Sequence, residues 1–454
     1  MRERNPGTPL RIGAGSAWWG DRISPAEANA ARGDLDYLCF ETMAEATIST
    51  AQVRKLRDPS FAGYDTYLED RFRAVLPHCL RNGTRIISNQ GWIDPVAAAH
   101  KTKQILVELG APNVRVAAVT GSLITDIIAD LAGAVLETGA PFAAIEGEIV
   151  SAEAYLGAEA IVEALKGGAD IVLTGRVADP SLFLAPMMFE FGWRPDEYDK
   201  LGQGTGIGHL LECGAQATGG YFVDPGYKDV PDPWDFAFPI AEVRANGDAV
   251  ISKLPNTGGR INRHTVLEQM FYEIHDPERY ITPDVVADFT TATIEEIGPD
   301  RVSVRGIGGW PRTSTLKVSI GVRDGFVGED TFYYAGPNSL AKARLARRIL
   351  EKRFEIVGLV ANELRIDFLG LDAIHGAMTP RPAAPPYELA VRVAARARTR
   401  AEAEKIGREV DGMAVSGLAS TGKRVPQAER VREIIGVWST LVDRDAVSAK
   451  VSYF

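Results

Sequence analysis

The chain reads as an α/β protein. A three-layer, mostly parallel sheet domain comes first, then an α+β region, then a ferredoxin-like α+β domain. Three observations predict this. Over the first 190 residues, short apolar runs alternate with segments of helical period, as in a parallel sheet covered by helices. The runs IIS, VAAV and DIVL are apolar throughout, which suits strands buried on both faces. From about Asp224 the texture changes to paired β runs between Pro- and Gly-rich turns, and the last third sets two helices among strands.

Strands are expected at Leu10–Gly15, Tyr37–Phe40, Arg85–Ser88, Val114–Thr120, Phe142–Ile145 and Ile171–Thr174. Helices are expected at Ser24–Arg32, Tyr64–Leu80, Asp94–Leu109, Ser122–Glu137, Ala152–Lys166 and Pro180–Phe191. Six such units suit an open sheet better than an eight-unit barrel. Further β runs fall at Ile240–Arg244, Ala249–Lys253, Val285–Thr291, Arg301–Ile307 and Thr315–Val322, closing a domain of residues 1–322. A second domain, 323–454, carries strands Phe326–Tyr334 and Leu364–Leu369 around the basic helix Ser339–Phe354. After the Pro-rich connector Thr379–Pro386 come Tyr387–Ala397, helix Thr399–Val410, strand Met413–Leu418, and β runs at Ile434–Leu441 and Val447–Tyr453. The terminal strands offer an edge for pairing, so a homo-oligomer built through this domain is expected.

Composition narrows the function classes. The 454 residues carry a formal net charge of −10, which argues against a nucleic-acid or anionic-membrane partner. The three cysteines, Cys39, Cys79 and Cys213, have no paired spacing, so neither a disulfide framework nor a structural zinc site is expected. The opening MRERNPGTPL lacks the apolar core of a secretory signal. The longest apolar region, Val114–Gly147, is broken by Asp126, Asp130 and Glu137 and cannot span a bilayer. A cytoplasmic protein is expected.

Three segments carry candidate chemistry. In Gly202–Phe222, seven glycines frame a helical segment whose one face would hold His209, Glu212, Cys213 and Gln216. Such a stripe is either a buried polar network that fixes packing or a reactive site. In Lys253–Thr265, the turn Thr257-Gly258-Gly259 precedes a helix, and Lys253, Arg260 and Arg263 add positive charge, a combination that suits a phosphate or carboxylate. In Asp170–Pro186, a strand ends in Thr-Gly-Arg, placing Arg176 at its tip; Asp179 reads most simply as the cap of the next helix. Ligands of open α/β sheets bind beyond the carboxyl ends of the strands, where Glu41, Glu45, Asn89 and Gln90 also fall. If a helix starts at Glu41, that residue and Glu45 share a face and can divide acid and base roles. Arg176, Glu41, Lys253, His209 and Glu212 are therefore expected to converge on one cleft.

The segments GSAWWGDR, DLDYLCFETMAEATIST, GADIVLTGRVADPSLFLAP, GHLLECGAQATGGYFVDPGY, KLPNTGGRINRHTVLEQMFYEIHDP, YITPDVVADF and GPDRVSVRG together resemble the acyclic terpene utilisation (AtuA) family, in order and over roughly Leu10 to Leu316. The C-terminal third resembles the ferredoxin-fold domain associated with that family. The resemblance implies bacterial catabolism of branched or terpenoid acids through CoA thioesters. One loop departs from the family pattern. Where Asn-x-Gly-Gly-x-Asn-Pro is expected, the chain has Asn89-Gln90-Gly91-Trp92-Ile93-Asp94-Pro95, so terpene specificity is not carried over.

The leading expectation is a lyase, hydratase or hydrolase acting on a small carboxylated or CoA-linked metabolite. Arg176, Asp179, Asn89, Lys253, Thr257, Gly258, Gly259 and Arg260 would bind it, and Glu41, Glu45, His209 and Glu212 would move protons. A metal-dependent enzyme using His209 and Glu212, with Glu41 as a further ligand, is one alternative. A non-catalytic acyl-binding or scaffold subunit is another. No Walker motif, dinucleotide fingerprint after a strand, or G-x-S-x-G occurs, so the cofactor stays unassigned.

Overall fold

The computed structural model describes residues 7–380, 384–423 and 430–454. Residues 1–6 of the opening segment and residues 381–383 of the Pro-rich connector lie outside the described residues. The chain forms two compact units. One comprises residues up to Ile145, Ile149–Gly321 and Val437–Phe454; the other comprises Glu146–Glu148 and Val322–Gly436. Eleven α-helices and several sheets occur among the described residues, a mixed α/β architecture.

The first unit contains strands β1 (Leu10–Ser16), β2 (Tyr37–Phe40), β3 (Arg85–Ser88), β4 (Val116–Thr120), β5 (Ile149–Ala154) and β6 (Ile171–Thr174). Helices α1 (Ser24–Arg32), α2 (Glu45–Arg57), α3 (Leu68–Asn82), α4 (Pro95–Glu108), α5 (Ile128–Leu131), α6 (Glu159–Lys166), α7 (Ser181–Phe191) and α8 (Tyr198–Glu212) alternate with them and follow. Beyond these lie β7 (Ile240–Val243), β8 (Ala249–Ser252), α9 (Arg263–Met270), β9 (Tyr280–Ile281), β10 (Val286–Asp288), β11 (Thr293–Gly298), β12 (Arg301–Arg305) and β13 (Gly308–Trp310). Strand β14 (Thr315–Ala335) passes from the first unit to the second.

The five strands β1-β2-β3-β6-β4 pair in parallel, and β2 and β6 are buried at every residue. That is why their sequences show no alternation. Antiparallel strands extend both edges, giving the ten-stranded order β11-β12-β8-β7-β1-β2-β3-β6-β4-β19, where β19 is Lys450–Tyr453. The expected strand Phe142–Ile145 is instead a 3₁₀ turn, and the expected helix from Ala152 begins only at Glu159. Between them Ile149–Ala154 forms β5 on β14. The expected helix Ser122–Glu137 shrinks to α5, because Leu123 and Val135 bridge to Glu153 and Thr440.

The second unit holds α10 (Ser339–Ile356), β15 (Glu363–Leu369), β16 (Glu388–Ala397), α11 (Arg400–Ser416), β17 (Gly422–Lys423) and the first part of β18 (Val431–Asp443). Its sheet runs β15-β16-β14-β17, with β18 also on β14; β14/β16 and β15/β16 are antiparallel. Helix α10 buries Ala343, Ala346, Leu350 and Phe354, an i, i+3, i+7, i+11 stripe, and pairs Arg347 with Glu351 on its outer side. Residues Met413–Leu418, expected as a strand, extend α11 to Ser416 instead. In the C-terminal run, β19 pairs with β4 and is the last strand of the ten-stranded order, and Val437–Phe454 belongs to the first unit.

Helix α8 explains the glycine-rich signature. It is buried from Leu201 to Glu212, and a Cβ at Gly202 would strike the Gly308 carbonyl oxygen, at Gly206 Ile307, and at Gly208 the Pro180 carbonyl. The glycines therefore let neighbouring backbone approach the helix from several sides rather than opening it to a ligand.

Candidate active site

The carboxyl ends of the parallel strands gather the buried polar groups. Arg176, just past β6, is only 2% exposed. Its Nε donates to the Val177 carbonyl at 3.0 Å and a terminal nitrogen to the Met43 carbonyl at 3.1 Å; another pairs with Asp179. Its guanidinium carbon lies 4.3 Å from the centroid of the Tyr155 ring. Burial opposes this charge, but Asp179, Tyr155 and Glu41 outweigh it and hold the arginine pKa above its ordinary value. Asp179 is thus a partner of Arg176 and not the cap of α7, whose N-cap is Pro180.

Glu41 follows β2 in a loop, while α2 starts only at Glu45, so the two do not share a helix face as expected. The Oε1 of Glu41 accepts the Met43 amide at 2.5 Å and the Asn89 Nδ2 at 3.1 Å. Asn89 in turn accepts the Thr42 amide at 2.8 Å, so it fixes the 41–43 loop. Burial first, and the Asp179 charge second, raise the Glu41 carboxyl well above the usual carboxylate range; Arg176 works against them.

A cavity of about 420 Å³ opens beside this cluster, lined among others by Glu45, Tyr155, Asp179, His209, Glu212, Glu273, Tyr280 and Lys317. His209 and Glu212, one turn apart at the end of α8, meet at 2.7 Å through Nδ1 and Oε1. Both are buried, yet His209 Nε2 and Glu212 Oε2 have no hydrogen-bond partner among the described residues. The imidazole lies against Tyr280 and Phe289, with ring centroids 5.4 and 5.8 Å away. Asp179 keeps 34% of its side chain open, facing the cavity from deep within the protein. Burial pushes its carboxyl up to about 7; Arg176 pulls it down, while Glu212 and Glu45 push it further up.

His209, Glu212, Asp179 and Glu45 therefore share one cavity, and Arg176 pairs with Asp179. Of the five residues expected to converge on one cleft, His209 and Glu212 line this cavity, whereas Arg176, Glu41 and Lys253 are not among its lining residues. The Lys253 ammonium donates to the Thr257 carbonyl at 2.9 Å and lies 3.4 Å from Asp300. The expected anion cradle beside it is closed, because the amides of Gly258, Gly259 and Arg260 donate to the carbonyls of Asp235, Pro231 and Thr218. Gly258 and Gly259 serve close packing, since a Cβ at either would strike a neighbouring carbonyl oxygen. Cys213 and Gln216 lie off the expected stripe, because α8 ends at Glu212 and a 3₁₀ turn follows. Burial, then Glu212, raise the Cys213 thiol far above its usual value, which disfavours a thiolate nucleophile. No group of three or more His, Cys, Asp or Glu side chains suited to a metal ion occurs among the described residues, so His209, Glu212 and Glu41 do not form the ligand set considered for a metal enzyme.

Tyr155, Tyr280 and Lys317 escaped the sequence reading. Tyr280 lies within the quoted YITPDVVADF segment; Lys317 sits in an alternating strand, where it reads as an outward-facing solvated residue.

Glu153, 1% exposed on β5, is a further buried acid next to this cluster. Burial pushes it up to about 8, against the Ser122 hydroxyl and Arg176. The folded state then keeps a proton that the unfolded chain gives up near pH 4.5, so stability falls as pH rises through that window to about 8. Glu153→Gln, which mimics the neutral acid, should match wild type at pH 4.5 and exceed it at pH 8.5 by on the order of 1–3 kcal/mol in urea unfolding. A variant less stable than wild type at pH 8.5 would refute this.

The fold is thus an α/β sheet with a cluster of buried acidic and basic side chains at the carboxyl ends of its parallel strands, beside a cavity. A family model described as acyclic terpene utilisation family protein AtuA matches residues 10–453, so the chain belongs to that family, which implies a role in acyclic terpene utilisation. The match continues through the C-terminal third, past the end of the segments that carry the resemblance. Neither a curated protein nor a solved structure matches the chain. No helix among the described residues is long and apolar enough to cross a membrane.

Proposed function

We propose that the cavity is the active site of an acid–base enzyme, a lyase, hydratase or hydrolase acting on a small carboxylated or CoA-linked metabolite. The observation that carries this reading is the His209–Glu212 pair, buried with Nε2 and Oε2 unpartnered in a cavity that Asp179 also lines. Glu212 orients the imidazole, Nε2 takes a proton from substrate or water, and Asp179 returns one. Burial raises the Asp179 carboxyl towards neutral pH, which suits a group that must both give and regain a proton.

Three other readings belong with it. The β14–α10–β15–β16–α11–β18 succession with antiparallel pairing supports a ferredoxin-like second unit. The fully buried parallel strands support a three-layer first unit. A cytoplasmic homo-oligomer agrees with the acidic charge and lone cysteines.

The test is a panel of acyl-CoAs, hydroxyacyl-CoAs and carboxylates, screened by thermal shift and then for turnover. A ligand that binds at Kd well below its working concentration should raise stability by about 2.7 kcal/mol at 100 times Kd. Turnover of at least one stabilising compound is expected. Binders with no turnover of any of them would instead support the acyl-binding alternative.

A further inference from the structure

We infer that the cavity takes an amphiphile with two distinct ends: an anionic group held by Lys317 at the mouth and a hydroxyl received by His209 and Glu212 inside. The inference rests on reading this cavity as the ligand site.

Four observations support it. First, Lys317 is the only lysine or arginine that lines the cavity among the described residues. Its side chain is 42% exposed, its ammonium lies 5.0 Å from the Tyr155 ring centroid, and its ion pair with the half-exposed Glu45 is long, at 4.0 Å. An exposed pair of that kind is worth little and exchanges readily for a ligand carboxylate or phosphate. Arg176 cannot do the same work, because its guanidinium is committed to Val177, Met43 and Asp179.

Second, the inner end asks for a donor. His209 Nδ1 meets Glu212 Oε1 at 2.7 Å, a contact made with the ring nitrogen as donor and the carboxylate oxygen as acceptor. In the neutral ring Nε2 is then an acceptor, and Glu212 Oε2 is another. Two buried acceptors without partners match a hydroxyl and repel a second carboxylate. Third, Ile274, Ile281, Leu316 and Leu441 supply apolar wall. Fourth, Asp179 lines the same cavity as Glu45, the partner of Lys317, and Glu212, and so offers a further polar group along its wall.

The experiment uses the full chain and calorimetry with octanoate, 3-hydroxyoctanoate, octan-1-ol, octylamine and 3-hydroxyoctanoyl-CoA. Octanoate should bind, 3-hydroxyoctanoate about tenfold more tightly, and octylamine not at all. Lys317→Met keeps the stem and removes the charge; it should weaken both acids about tenfold and leave octan-1-ol unchanged, while Lys317→Arg restores most of the loss. Glu212→Gln should erase the advantage of the hydroxyl. If the thioester, rather than the free acid, is the form that depends on Lys317, the anion is a CoA phosphate, and the same two-ended site stands. Octylamine binding as well as octanoate, acids and thioester alike indifferent to Lys317→Met, or no anionic probe binding at millimolar concentration would each overturn the inference. Binding in the expected order without turnover would leave it standing and defeat only the catalytic reading.

Discussion

Glu212→Gln is expected to lower kcat by about a hundred- to ten-thousandfold, the usual contribution of a positioned acid–base group. The substitution is close to isosteric. Its amide oxygen can still accept from Nδ1 at the site of the present 2.7 Å contact, so the helix end keeps its local bond. What it loses is the negative charge that steadies an imidazolium once Nε2 has taken a proton. His209→Gln should lose as much activity but is the less clean test, because it also removes ring packing on Tyr280 and Phe289, worth about 0.5–1.5 kcal/mol per pair. The carbonyl of His209, which accepts Gln269 Nε2 at 2.9 Å, is unaffected by either change. If the pair is only a structural network, both variants should instead unfold more easily by about 1–3 kcal/mol while kcat stays near wild type. Cys213→Ser separates the thiol from the dyad and should remain active, since its thiol is held far from ionisation.

The residues that were legible in the sequence are those whose neighbours in space are also their neighbours in the pattern. Strands β2, β3 and β6 appear at their full extent because doubly buried parallel strands are continuous apolar runs. The second half of strand β5, Ala152–Ala154, reads in the sequence as the start of the helix to Lys166, because its partner β14 lies more than 160 residues further on. The same limit separates Lys253 from Lys317. A Gly-Gly turn with basic residues is a local signal for an anion, but only the folded chain shows that carbonyls of Asp235, Pro231 and Thr218 already occupy its amides.

The departure at Trp92 can be read in the same physical terms. Trp92 has φ of 43°, the left-handed region, at the position where the expected loop pattern has glycine. Its ring packs with Met43, Ile48, Ala51 and Phe61, and its Nε1 donates to Thr42 Oγ1 at 3.2 Å, next to Glu41. Asp94 stands where the pattern has Asn and caps α4 by accepting the Ala97 amide, a role either residue fills. The Asp is therefore a neutral exchange, whereas the Trp pays backbone strain to pack the loop that carries Glu41.

Arg176→Met should destabilise the protein by about 3–5 kcal/mol, the expected cost of removing one partner from a buried ion pair. The methionine fills the space but leaves the Met43 and Val177 carbonyls without this donor and removes the charge that holds Asp179 and Glu41 down. Both carboxyls already sit above their ordinary range, so the folded state holds protons that the unfolded chain releases, and stability falls as pH rises. Without Arg176 that upward shift grows. The stability gap between wild type and variant should accordingly widen from pH 5 to pH 8, as read by urea unfolding at each pH. Arg176→Lys is not expected to rescue it, because one ammonium cannot reproduce the planar fork that reaches Val177, Met43 and Asp179 together. A gap below about 1 kcal/mol, or one that is the same at both pH values, would show that Arg176 is not the charge on which this cluster depends.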